Sequence, residues 1–129
     1  MNDDASPDAR FLAWGDRIPA APTPAGCYLE CRRWGQLLFV AGHGPCDPAL
    51  SRGVVGRDLT LDEGARAAES AALHALSSLR AELGTLDAVE GILQLTVYVR
   101  AIETFERHPE VADGASRLFE AVFGADRGL

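Results

Sequence analysis

Leu37-Leu38-Phe39-Val40-Ala41-Gly42-His43-Gly44-Pro45 is the stretch on which the reading of this chain turns. Five apolar residues suited to a buried strand run into Gly42, whose missing side chain lets another backbone or a small ligand come close, and Gly44-Pro45 then ends the strand. A strand that ends in glycines makes a good floor for a pocket, and the same pattern also fits a core strand followed by an ordinary turn. Just upstream, Tyr28 to Trp34 is strand-like, and the two-residue link Gly35-Gln36 joins the two runs as a β-hairpin. Downstream, beyond the turn at Ser51-Arg52-Gly53, Val54-Val55 and Leu59 suggest a short third strand.

Further on, the periodicity changes. Thr60-Leu61-Asp62-Glu63 fits a capping box and starts a helix at about residue 61. Ala65, Ala68, Ala72, Leu76, Leu79 and Leu83 then recur at three- and four-residue steps until Gly84, a narrow alanine-rich stripe expected to pack closely on a sheet. His74 lies beside that stripe. Residues 92 to 100 alternate, with Leu93, Leu95, Val97 and Val99 on one side and Ile92, Gln94, Thr96, Tyr98 and Arg100 on the other, which predicts a strand with one apolar and one mixed face. The mixed face suits solvent, a partner subunit or a ligand cleft. Pro109 opens a second helix over about 109 to 123, with Val111, Ala115, Leu118, Phe119, Val122 and Phe123 as its packing face and Gly114 in its interior.

The order β-β-(β)-α-β-α predicts an α+β fold, a mixed β-sheet with two helices packed on one face. The opposite face is left uncovered, which motivates oligomerisation. Residues 1–26 hold four of the seven prolines and read as an extended N-terminal arm in which Phe11-Leu12-Ala13-Trp14 supplies a short turn that docks its aromatics on the body; residues 27–129 form the single domain.

Composition narrows the chemistry. A net charge of -7 opposes binding to a nucleic-acid backbone or an anionic membrane surface. All twelve basic residues are arginine, so Schiff-base catalysis, a pyridoxal-phosphate lysine and the lysine of a phosphate-binding P-loop are excluded, and anions must be met by arginine forks or backbone amides. Cys27, Cys31 and Cys46, with His43, His74 and His108, lack zinc-site spacing and read as reduced thiols and dispersed imidazoles. No metal or cofactor is expected. The acidic start Met1-Asn2-Asp3-Asp4 leads into no apolar run of signal-peptide length, so a cytoplasmic protein, neither secreted nor membrane-spanning, is expected.

Several stretches in order carry a resemblance: Pro24-Ala25-Gly26-Cys27-Tyr28, Leu38-Phe39-Val40-Ala41-Gly42, Gly56-Arg57-Asp58-Leu59-Thr60 before the capped helix, Gly84-Thr85-Leu86-Asp87, Thr96-Val97-Tyr98-Val99, and Gly114-Ala115-Ser116-Arg117-Leu118-Phe119 with Val122-Phe123-Gly124. Over about residues 22 to 127 the chain resembles the Rid family, also written YjgF/YER057c/UK114 and often labelled endoribonuclease L-PSP. The resemblance implies a chorismate-mutase-like fold, a homotrimer with clefts at its subunit interfaces, and hydrolysis of reactive enamines and imines such as 2-aminoacrylate to keto acids and ammonia. Tyr28 matches the family's cleft tyrosine and Gly42 the glycine whose backbone lies beside the bound acid. His43 replaces the glutamine that commonly follows that glycine, and Ala41 the usual serine.

In relatives, the segment after the second helix continues to an arginine that grips the substrate carboxylate and to a glutamate near the attacking water. This sequence ends at Arg127-Gly128-Leu129 before that arginine, so either it continues natively or imine hydrolysis is lost. Tyr28, Gly42, His43, Tyr98 and Arg100 are therefore the candidate substrate-binding residues, with Arg100, on the mixed strand face, the first substitute for the missing fork to test if the chain is active. Three activities are expected in descending order: an enamine or imine deaminase of small acids, a trimeric acid-binding protein without catalysis, and an endoribonuclease, which the charge disfavours.

Overall fold

A computed structural model of the chain describes residues 4–129. Two long helices organise it. In α2 (Leu61–Leu83) the Thr60 hydroxyl accepts from the Glu63 amide at 3.1 Å and Glu63 Oε1 accepts from the Thr60 amide at 3.2 Å, the reciprocal cap expected from the sequence. The Gly84 amide closes the helix on the Arg80 carbonyl at 2.7 Å. In α3 (His108–Phe123) Pro109 occupies the first turn, where its missing N–H costs no helical hydrogen bond, and the Gly124 amide ends the helix on the Glu120 carbonyl at 2.8 Å. A single turn, α4 (Ala125–Gly128), follows.

The helices meet backbone to backbone. A Cβ on Gly114 would lie 1.9 Å from the Ala65 carbonyl oxygen, so only glycine lets α3 sit this close to α2. The alanine stripe thus serves close helix-on-helix packing, where the sequence pointed to a sheet: Ala68, Ala72, Leu76 and Leu79 share a core with Val111, Ala115, Leu118, Phe119 and Val122. Each fully buried side chain of leucine or phenylalanine size, such as Leu76 and Leu118, contributes about 1.5 to 3 kcal/mol of burial.

The hairpin forms as expected from β1 (Cys31–Trp34) and β2 (Leu37–Val40), paired antiparallel with Arg32 opposite Phe39 and Trp34 opposite Leu37. Gly35 turns the chain at φ +60°, a conformation matching the twist of a two-residue hairpin. Cys31 is buried and Leu38 packs on the core, so one side of the hairpin packs against α2. Arg32, Trp34, Leu37 and Phe39 share the outer side, where Trp34 is 79% and Phe39 61% exposed.

Two expected strands do not form ladders. Val54-Val55 is reduced to parallel bridges from Val55 to Leu59 and to Ala101. Residues 92–100 make no strand ladder among the described residues: the Ile92 amide donates to the Arg127 carbonyl at 2.7 Å, and the Arg100 carbonyl accepts from Val55 at 2.9 Å. Without a neighbouring strand the expected alternation is incomplete. Ile92, Val97 and Val99 pack on the core, whereas Leu93 is 82% exposed. The N-terminal segment also differs from a plain extended arm: Ser6 accepts from the Ala9 amide and Pro7 starts helix α1 (Pro7–Leu12), which buries Phe11 in the core. The Asp8 carboxylate pins α1, accepting from Arg80 Nε at 2.8 Å and from the Leu86 amide at 2.9 Å.

Candidate functional site

The loop after β2 runs along one face of α2 and is tied to it at four-residue intervals. Ser78 Oγ meets His43 Nε2 at 2.9 Å, His74 Nδ1 donates to the Gly44 carbonyl at 3.3 Å, and Ser70 Oγ accepts from the Cys46 amide at 3.0 Å. Residues 70, 74 and 78 are one helical turn apart, so the helix presents them as a polar row beside the alanine stripe. The four-residue spacing of Ser70, His74 and Ser78 is the signal by which the sequence marks this row, of which His74 alone stands out beside the alanine stripe.

His43 points into the protein, toward α2. Its side chain is 4% exposed, Nδ1 lies 2.7 Å from the Ala41 carbonyl, and Nε2 lies 2.9 Å from Glu30 Oε2. The His74 ring stands edge-on to it at 5.2 Å. A serine, a histidine and a glutamate here share composition with a hydrolytic triad but not its geometry: hydroxyl and carboxylate approach the same ring nitrogen, and Ser78 is buried on the inner face of α2. The Cys31 thiol, which approaches the Ser78 carbonyl at 4.0 Å, is pushed up by burial and then by the Glu82 and Glu30 charges, so it stays a neutral packing group.

Gly42 and Gly44 flank this anchor on the open side. A Cβ at either position would meet nothing within 4 Å, and neither has a positive φ, so the chain's own packing does not require glycine there. Both residues are exposed, and their amides make no hydrogen bond to the described residues. Tyr28 precedes β1, half exposed, its hydroxyl accepting from the Ala25 amide at 3.1 Å. Tyr98 is 92% exposed. Arg100 lies in reach of Asp58, whose carboxyl is held below the usual range chiefly by its hydrogen bonds from Arg57 and more weakly by Arg100. The loop thus joins Gly42 and His43, while among the described residues no hydrogen bond or ion pair links Tyr28, Tyr98 or Arg100 to them. Among the described residues no group of three or more His, Cys, Asp or Glu is placed to hold a metal ion, and no helix is long and apolar enough to cross a membrane.

No family model matches the chain. Protein TCP17 from Trypanosoma cruzi is 37% identical to it over 122 residues, which cover 93% of this chain and 76% of that protein. Among solved structures, Atu1372 from Agrobacterium tumefaciens, a protein of unknown function, superposes with a TM-score of 0.81 at 29% identity, covering 95% of this chain and 76% of that one. A candidate endoribonuclease from Shewanella oneidensis MR-1 superposes with a TM-score of 0.77 at 28% identity, covering 97% and 83%. These neighbours share the α+β, chorismate-mutase-like fold.

Proposed function

We propose, for a chain that belongs to the family of Trypanosoma cruzi protein TCP17, the activity implied by its Rid resemblance: hydrolysis of small reactive 2-imino or 2-enamino acids to keto acids and ammonia. The observation that carries this reading is a pair of exposed glycines, Gly42 and Gly44, with unbonded amides and open space around them, on a loop whose other side is anchored to α2. Backbone amides of this kind suit the oxygens of a carboxylate, and a glycine floor lets the acid approach within hydrogen-bonding distance. The reaction itself asks little of the protein. Water adds to a carbon already electrophilic as an iminium, and the carbinolamine expels ammonia, so orientation and charge placement supply most of the acceleration.

In this reading Gly42 and Gly44 hold the acid, Tyr28 and Tyr98 wall the cleft, and the Arg100 guanidinium pairs with the carboxylate from a neighbouring subunit. His43 holds the loop without touching the substrate. The apolar outer side of the hairpin, Trp34, Leu37 and Phe39, supports burial between subunits of a homotrimer. A second reading keeps the same cleft for acid binding without turnover, since His43, the one imidazole on the loop, is already occupied by protein partners and is not free as a general base. Ribonuclease activity, suggested by the name of the Shewanella neighbour, meets a net charge of -7 that repels a phosphate backbone.

The test is keto-acid release from 2-aminoacrylate generated in situ, with semicarbazide trapping of residual imine and a labelled RNA incubated in parallel. The deaminase reading expects release proportional to protein concentration and intact RNA. Saturable acid binding without release would favour the binder, and RNA cleavage would favour the nuclease.

A further inference from the structure

The geometry points to a second binding site, for a short aliphatic carboxylate, in the cavity between the N-terminal segment and α2, with Arg80 as its anion fork. The cavity measures about 210 Å³, and Leu12, Ile18, Ala21 and Ala81 wall it beside Ser77 and Arg80. That is the liquid volume of about seven waters. A mostly apolar hollow with a few fixed polar groups is the usual form of a small-molecule site. None of these residues belongs to the loop at 41–46, so the site stands or falls apart from the proposed turnover.

Arg80 supplies the partner for the head group. A guanidinium has two edges that each offer a carboxylate a pair of N–H donors. Asp8 takes the side edge, accepting from Nε at 2.8 Å and from Nη2 at 3.1 Å. Among the described residues nothing accepts from the end edge, made by Nη1 and the second hydrogen of Nη2. Asp8 also holds that edge still: its side chain is 14% exposed and that of Arg80 36%, so the fork is oriented before a ligand arrives. Ser77 sets the other polar limit, because its hydroxyl proton goes to the Pro19 carbonyl at 2.8 Å and leaves no donor for a second anionic group. One fork without a second donor selects a single carboxylate, and the Asp8 charge beside it opposes a phosphate or a diacid. The apolar walls select a tail of a few carbons, which separates this ligand from the small acids of the proposed cleft.

The experiment is titration of the full chain with sodium hexanoate, followed by nitrogen-15 NMR of the backbone amides and of the Arg80 guanidinium. Hexanoate should shift the amides of Leu12, Ala21, Ser77 and Ala81 and the Arg80 side-chain signals along one saturable curve. Hexan-1-ol, with the same chain length and no charge, should bind at least about tenfold more weakly. Ala81→Leu fills the hollow from an exposed helix position, leaves the Asp8–Arg80 pair intact, and should abolish the curve. Arg80→Lys keeps a cation for Asp8 but loses the second fork, and should weaken binding roughly ten- to a hundredfold. No saturable shift at these amides, shifts confined to Gly42 and Gly44, or equal binding of hexan-1-ol and hexanoate overturns the inference whether or not either variant folds. Undiminished binding by a folded Ala81→Leu chain overturns it as well.

Discussion

Gly114→Ala reverses the sign expected from helix propensity. In an exposed helix interior the change stabilises by about 1 kcal/mol, because alanine loses less backbone entropy than glycine. Here the added Cβ would fall 1.9 Å from the Ala65 carbonyl oxygen, 2.7 Å from its carbon and 3.1 Å from its Cα, all backbone atoms that no rotamer change can move. Ordinary contact needs about 3.5 Å, so α2 and α3 must part by more than an ångström, which loosens the seam of Ala68, Ala72, Val111, Ala115 and Leu118. Overpacking costs roughly 1 to 3 kcal/mol, and a rigid backbone contact belongs at the upper end. Net of propensity, a loss of about 2 kcal/mol follows, or a melting temperature roughly 6 to 10 °C lower for a chain of this size. Urea unfolding followed by circular dichroism at fixed protein concentration measures it, with Gly42→Ala, whose Cβ meets nothing, as the near-neutral control. A Gly114→Ala variant as stable as the wild type would refute the backbone contact and with it the packing of α3 on α2.

Three other outcomes follow from the same contacts. Gly42→Val, with open space around the new side chain and no positive φ to strain, should leave stability within about 0.5 kcal/mol of wild type while abolishing acid binding, as read by calorimetry. The Asp8 carboxyl is held below its ordinary range chiefly by its hydrogen bonds from Arg80, so its contribution to stability is complete above the unfolded-state value near 3.9 and fades as pH falls through the lower folded-state value. Asp8→Asn should therefore flatten the acid limb of the stability profile, whereas a limb unchanged in the variant would remove Asp8 from that role. Trp34→Asp places a charge on the outer side of the hairpin and should shift a trimer to monomer by light scattering; an unchanged mass would show that this face is not the subunit interface.

Most of the helical architecture was readable because its signals are local. Thr60 and Glu63 mark one helix start, Pro109 the other, and Gly84 and Gly124 the ends. Gly35-Gln36 likewise located the hairpin turn. The alternation of residues 92–100 was also local, but a strand exists only with a partner, and the described chain supplies bridges at Val55 alone. The docking of Phe11 on the core was legible in Phe11-Leu12-Ala13-Trp14, whereas the helix that carries it was marked only by Ser6-Pro7, a cap signal overshadowed by the later prolines. At the site, Gly42 was legible from the strand that leads to it. The setting of His43 was not, because Glu30 and Ser78 are brought to it by the hairpin register and by the packing of α2 against the hairpin, neither of which leaves a mark in the spacing of residues 30, 43 and 78.

The proposed activity is tested most directly by kcat/KM for 2-aminoacrylate in the wild-type chain and in Arg100→Met, both at the same oligomeric mass. A charge-assisted fork to a carboxylate is worth about 1.5 to 3 kcal/mol, so the variant should lose roughly ten- to a hundredfold. Keto-acid release by the wild type with that loss in the variant is the outcome the account predicts. A wild-type chain that binds the acid yet never releases keto acid, or an Arg100→Met variant with undiminished kcat/KM, would contradict it.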